Sequence, residues 1–209
     1  MQFHGTAKHS LSVPPATRIV SCPSITSPLL CILTLTNWEG WKRQSHEVLT
    51  LCPLDHPDRF KYLNNLASAF RTRFNQLGRV EDLEEAISLH HDALTLCPLG
   101  HPGRFVSLTI LALALHTLSK SGRVEVLEEA ISRHHEALTL CPCSHPVRST
   151  ALNGLALALH TRFNQLGLME DLEEAVSWHR EALTLCPISH PEHLACLNNL
   201  ATVLCARFN

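Results

Sequence analysis

Residues 84–98 read EEAISLHHDALTLCP, and nearly the same words return at 128–142 as EEAISRHHEALTLCP and at 173–187 as EEAVSWHREALTLCP. The closing Leu-Cys-Pro stands at 51–53, 96–98, 140–142 and 185–187, with His-Pro beginning four residues after each Cys. The spacings are 45, 44 and 45 residues. A period of this length marks a repeat array, in which each unit buries its apolar face against its neighbour.

Hydrophobic periodicity divides each unit into two helices. Leu63, Leu66, Ala67, Phe70, Phe74 and Leu77 fall at i, i+3, i+4, i+7 and beyond, the stripe of an amphipathic helix. Gly78, Gly122 and Gly167 follow at the place where a left-handed residue closes a helix. The second helix opens on Glu81, Asp82, Glu84 and Glu85, which suit the positive end of the helix dipole, and continues through Leu83, Ala86, Ile87, His90, Ala93 and Leu94. Pro98 ends it by removing a backbone donor, and His101-Pro102 is expected to start the next first helix.

These residues resemble the tetratricopeptide repeat (TPR). In the first helices the matching sets are Leu63, Leu66, Ala67, Phe70; Leu108, Leu111, Ala112, Leu115; Leu152, Leu155, Ala156, Leu159; and Leu197, Leu200, Ala201, Leu204. In the second helices they are Ala86, His90, Ala93, Pro98; Ala130, His134, Ala137, Pro142; and Ala175, His179, Ala182, Pro187. The family period is about 34 residues. The additional residues here fall around 73–78 and lengthen both helices, as in the extended repeats of kinesin light chains and of fungal TPR-like arrays. His90, His134 and His179 stand where the family usually has a large aromatic.

The resemblance implies an all-α fold, an α-solenoid in which antiparallel helix pairs wind into a right-handed superhelix over residues 41–209. Trp41 to Leu51 reads as a second helix without its first, and Arg207-Phe208-Asn209 ends within another unit. Two expectations follow: either the array extends beyond this chain, or copies associate end to end. Residues 1–40, rich in Ser, Thr and Pro, are expected to be a disordered or poorly structured leader. Lys8 and Arg18 are too few fixed cations to favour the alternative, a mitochondrial presequence.

Composition narrows the function. With 209 residues and 45% hydrophobic content the chain can bury a core. Its 17 Lys and Arg against 19 Asp and Glu give no broad positive field for nucleic acid. The apolar run 28–35 is far shorter than the roughly 20 residues of a membrane span, so no membrane partner is expected. Nine cysteines, an odd number with no clear secretory signal, point to a reducing, cytoplasmic setting.

Cys52/His56, Cys97/His101, Cys141/His145 and Cys186/His190 share a Cys-x-x-x-His spacing of metal-ligand types, and Cys143 adds a thiol to the third loop. Each loop offers two ligands where a closed zinc site needs four, and neighbouring loops should lie on the order of 10 Å apart. Adjacent His90-His91 and His134-His135 point to different helix faces. The cysteines are therefore read as small buried residues at helix ends, with no metal or other cofactor expected. No nucleophile with a base and an orienting group appears, so no enzyme is expected.

Stacked helix pairs line a concave face with their first helices, and in the TPR family that groove takes peptides. The resemblance selects Lys61, Asn64, Ser68 and Arg71; Thr109, Leu113 and His116; Thr150, Asn153, Leu157 and His160; then Asn198, Thr202 and Cys205. Asn64, Asn153 and Asn198 recur at one position, where an amide suits an extended backbone or a neighbouring helix equally. Leu113 and Leu157 make the middle apolar, while Lys61 and Arg71 make one end basic. The expected function is a non-enzymatic scaffold that binds a protein or peptide segment. The alternative is a regulatory or sensor segment of a larger effector protein of nucleotide-binding or caspase-like type.

Overall fold

The computed structural model describes residues 38–207 apart from Ser121 and Pro191. The regular elements among them are all helices: α1 (Trp38–Leu51), α2 (Arg59–Leu77), α3 (Val80–Leu96), α4 (Arg104–Ser119), α5 (Val124–Leu140), α6 (Val147–Leu166), α7 (Met169–Leu185) and α8 (His193–Arg207). α2 pairs with α3, α4 with α5 and α6 with α7; each pair packs on the next, with α1 against α2 and α8 against α7. The chain is the expected all-α solenoid. Its first described helix begins at Trp38, while the leader expectation for residues 1–37 lies outside the described residues.

Local chemistry sets the helix ends. Gly78 and Gly167 adopt φ of 68° and 72°, and their N–H groups donate to the carbonyls of Phe74 and Phe163, both at 2.7 Å. The central first helix, α4, is 16 residues long against 19 and 20 for α2 and α6, and belongs to the shorter unit. Each second helix stops at the cysteine before its proline. The following His-Pro step sits in the turn before the next helix rather than in its first turn. There the imidazole acts as a cap: Nδ1 of His56, His101, His145 and His190 accepts the backbone N–H two residues on, at 2.9 to 3.2 Å.

A recurring arginine fastens one unit to the next. Nη1 of Arg59 donates to the carbonyls of Leu49 and Cys52, both at 2.6 Å; Arg104 repeats this on Leu94 and Cys97, and Arg148 on Leu138 and Cys141. A cation at a helix C-terminus satisfies orphan carbonyls and complements the dipole. The other guanidinium arm of Arg104 and of Arg148 reaches Glu136 and Glu181, each at 3.2 Å.

Where the helices cross, the side chains are small and the packing dense. Ala67, Ala112 and Ala156 of the first helices and Ala86, Ala130 and Ala175 of the second are all 0% exposed. Leu66, Leu111 and Leu155 fill the space beside them. His90, His134 and His179 are also fully buried, so an imidazole occupies the volume that the family gives to an aromatic. Gly154 makes room for one of them: a Cβ there would meet Cε1 of His134 at 2.5 Å.

Gly154→Ala should therefore destabilise the chain by about 1–3 kcal/mol, the usual cost of overpacking. With His134→Ala the two shortest contacts are gone and only Leu113 Cδ2, at 3.2 Å, must yield, so the same change should cost much less or become stabilising, because alanine favours helix by up to about 1 kcal/mol. Urea unfolding of the four chains checks this; an equal cost in both backgrounds would show that the imidazole is not what the glycine accommodates.

Candidate peptide-binding face

Short side chains join the first helices directly. Asn64 Nδ2 in α2 donates to Ser107 Oγ in α4 at 2.7 Å, His116 Nε2 in α4 meets Thr161 Oγ1 in α6 at 2.9 Å, and Asn199 Nδ2 in α8 donates to Asn153 Oδ1 in α6 at 3.1 Å. The second helices are bridged by longer groups: Arg123–Glu84 at 3.0 Å, His91–Glu129 at 3.6 Å, and the His135 and Trp178 rings with centroids 6.3 Å apart. α4 also packs on α6, and α6 on α8. A stack closer on one side bends toward it, so the first helices form the inner layer.

Each first helix carries a stripe open to solvent on the inner side, at 4-3-4 spacing. It comprises Lys61, Asn65, Ser68 and Thr72 on α2; Val106, Ile110, Leu113 and Thr117 on α4; and Thr150, Leu157 and Thr161 on α6. On α8 it continues with Ala195, Asn199, Thr202 and Ala206. Lys61, Ser68, Leu113, Thr150, Leu157 and Thr202 are thus brought together as one surface.

The remaining expected groove residues lie beneath or beside that stripe. Thr109 and His116 are buried, 2% and 6% exposed, because the turn of α4 points them between helices. The Thr109 hydroxyl bonds to the carbonyl of Phe105 at 2.8 Å. Asn64 and Asn153 are half-buried, and their amides are committed to the neighbouring first helix. Asn198 is exposed; Arg71 and His160 are half-buried, and the His160 ring stacks near Phe163 with centroids 6.5 Å apart. Asn65, Val106, Ile110, Thr117 and Thr161 escaped the sequence reading. The available signal was α4 itself, whose Val106, Ile110 and Leu113 leave no polar face where an outward helix needs one.

Charge is segregated between the layers. No Asp or Glu occurs in α2, α4, α6 or α8, whereas α3, α5 and α7 carry acids throughout. Most first-helix cations are engaged: Arg73 and Arg162 form two-point pairs with Asp82 and Asp171, Arg207 reaches Glu173, and Lys61 meets Asp58. Arg71 makes no ion pair among the described residues, and burial holds its guanidinium below the usual arginine range.

The buried imidazoles are neutral. Desolvation pushes His90 and His134 down to about 3 and His179 and His116 down to about 4. His90 Nδ1 pairs with Asn64 Oδ1 at 2.9 Å, while both ring nitrogens of His134 and His179 lack a hydrogen-bond partner among the described residues. In the loops, the histidine of each Cys-x-x-x-His step already uses Nδ1 as a cap, and Cys97, Cys141 and Cys186 are buried. No group of three or more metal-ligating side chains converges among the described residues, and no helix there is long and apolar enough to cross a membrane.

No protein-family model matches the chain, and no curated protein matches it. Its fold is similar to a crystal structure of nearly identical TPR-like repeats from Podospora anserina, described as a kinesin light chain. The TM-score is 0.59 at 19% identity, over 86% of this chain and 84% of that one. The architecture is a TPR-like repeat array.

Acid should unfold this array early. The buried histidines have folded pKa values well below the roughly 6.5 of an unfolded chain, so the unfolded state takes up protons first. Stability is complete above about pH 6.5 and declines toward pH 4, by up to about 1.4 kcal/mol per pH unit for each histidine. Urea midpoints measured from pH 7 to 5 should fall, and His134→Leu should make the fall shallower; an unchanged slope in that variant would remove His134 from the account.

Proposed function

We propose that this chain is a non-enzymatic protein-interaction scaffold that holds a segment of another protein along its layer of first helices. The observation that carries the reading is the open stripe Val106, Ile110, Leu113 and Leu157, apolar and half-exposed at the centre of a layer without carboxylates. Contiguous exposed apolar surface marks interaction sites more often than isolated residues do. The matching ligand has an apolar centre and an acidic group toward Arg71 and Lys61. Positioning and burial suffice for this work, and no cofactor is required.

An array of immobilised peptides that varies apolar and acidic positions, followed by fluorescence anisotropy on those retained, tests this. Leu113→Glu with Leu157→Glu should raise Kd at least about tenfold, as the loss of a central apolar contact does. Arg71→Gln should weaken acidic peptides only, and less so at high salt. Binding that survives the double glutamate change would move the site off this face.

A second reading rests on α8. Leu197 is 40% and Leu194 77% exposed, and Ala201 is exposed, whereas Leu63, Leu108 and Leu152 are at most 6% exposed beneath their second helices. The support is for end-to-end association, in which a second copy covers this face. Light scattering of the full chain should then show mass rising with concentration, and Ala201→Glu should return it to monomer. A monomer at every concentration would overturn that reading.

A further inference from the structure

The last described junction departs from the others in two ways. At the preceding junctions a guanidinium, from Arg59, Arg104 or Arg148, bonds two carbonyls of the helix before it. At the last, His193 stands in that place, and Nδ1 makes one bond, 2.6 Å from the carbonyl oxygen of Cys186. Three residues after that group, in the same register, stand Tyr62, Ser107 and Ala151 in successive first helices, and Cys196 in α8. Its Sγ lies 3.9 Å from Cys186 Sγ, and both residues are buried, 2% and 1% exposed. The weaker clamp therefore coincides with a pair of thiols in contact across the same junction.

We propose that Cys186 and Cys196 are a redox-modification site that closes as an intramolecular disulfide and fastens α8 to the end of α7. The oxidant is of the low-molecular-weight disulfide class. One protein thiolate attacks it and forms a mixed disulfide, releasing the first small thiolate. The second protein thiol, after losing its proton, attacks the protein sulfur of that mixed disulfide and releases the second small thiolate. The protein pair loses two electrons, the reagent gains them, and the two protein protons end on the two released thiols. Access comes through opening of α8, whose main packing among the described residues is on α7 and, less closely, on α6. Burial, with Cys186 alongside, pushes the Cys196 thiol up to about 11, so the exchange is slow and is followed to equilibrium.

The test uses the full chain carrying Cys143→Ser and Cys205→Ser, which removes the thiols exposed among the described residues, and Cys22→Ser and Cys31→Ser, which removes the two outside them. It is equilibrated with oxidised glutathione, alkylated and cleaved by a glutamyl endopeptidase, which cuts after Glu192 between the two cysteines. The expected result is a Cys186–Cys196 cross-linked peptide pair that separates on reduction and is missing in Cys196→Ala, a variant that copies the residue the array uses at position 151. Amide exchange in α8 should slow at least about tenfold in the oxidised chain, the effect of closing a short loop. Recovery of both cysteines as alkylated thiols or separate glutathione adducts would overturn the proposal, as would a cross-link that leaves α8 exchange unchanged.

Discussion

Ala67, Ala112 and Ala156 are buried to 0% because a second helix lies against each of them; Ala201, at the same place on α8, has no such cover among the described residues and is exposed. That contact is what the rest of the architecture depends on. A helix pair buries one side of its apolar surface internally and leaves the other for the next pair, so stability is a property of junctions rather than of units. Small residues at the crossing let the backbones approach, and leucines beside them supply the buried area. The same geometry explains why the first helices can be joined by asparagine, serine, threonine and, at His116, a single imidazole, while arginine–glutamate, histidine–glutamate and histidine–tryptophan pairs span the wider outer layer.

Within this regular frame the charged contacts are interchangeable parts. Arg73–Asp82 and Arg162–Asp171 close the turn between helices in two units; the corresponding residues of the central unit are Leu118, buried, and Val126, half-buried. A buried ion pair and a well-packed apolar pair are often close in stability, since desolvation offsets much of the Coulomb attraction. The exchange alters the neighbours. Arg162 also holds Glu128 of the preceding second helix, at 2.8 Å, and Arg207 holds Glu173 at 3.3 Å. Leu118 stands in the register of those arginines, and Arg123 takes up Glu84 instead, at 3.0 Å. The connection between units is kept although the residue that makes it has moved.

The repeat and its helix pairs were legible because glycine, proline and the apolar stripes act locally. Left-handed Gly78 and Gly167 and the buried alanines follow directly from those signals. The site was less legible. Choosing Asn64 and Asn153 for the groove relied on their recurrence, yet their amides join neighbouring first helices. Lys61, Ser68 and their counterparts were placed correctly, but at the positions between them the open residue is one further on, as at Asn65 and Thr72 of α2, because exposure is decided by how much each helix is rotated against its two neighbours. Periodicity fixes an apolar face only to within about one residue, or 100° of rotation. The clamp by Arg59, Arg104 and Arg148 was also hidden, since a lone cation in a first turn, where the dipole disfavours it, gives no sign that its partner is the C-terminus of the preceding helix.

Segregation of charge connects this architecture to the proposed binding role. Acids in the second helices and inter-helix turns pair with arginines that project from the ends of the first helices, so those guanidinium groups are drawn to the edges of the array and neutralised there. Apart from Lys61 the inner stripe is left with hydroxyls, amides and aliphatic side chains, and burial lowers the pKa of the neighbouring His116 and His160 imidazoles. Arg71, unlike Arg73 and Arg162, lacks a counter-ion among the described residues. A ligand lying on such a face loses little solvation at its centre and meets no fixed negative charge. Apolar contact then supplies the affinity, while a carboxylate near Arg71 fixes direction, because in the reverse orientation both that carboxylate and the guanidinium would be partly desolvated without a partner.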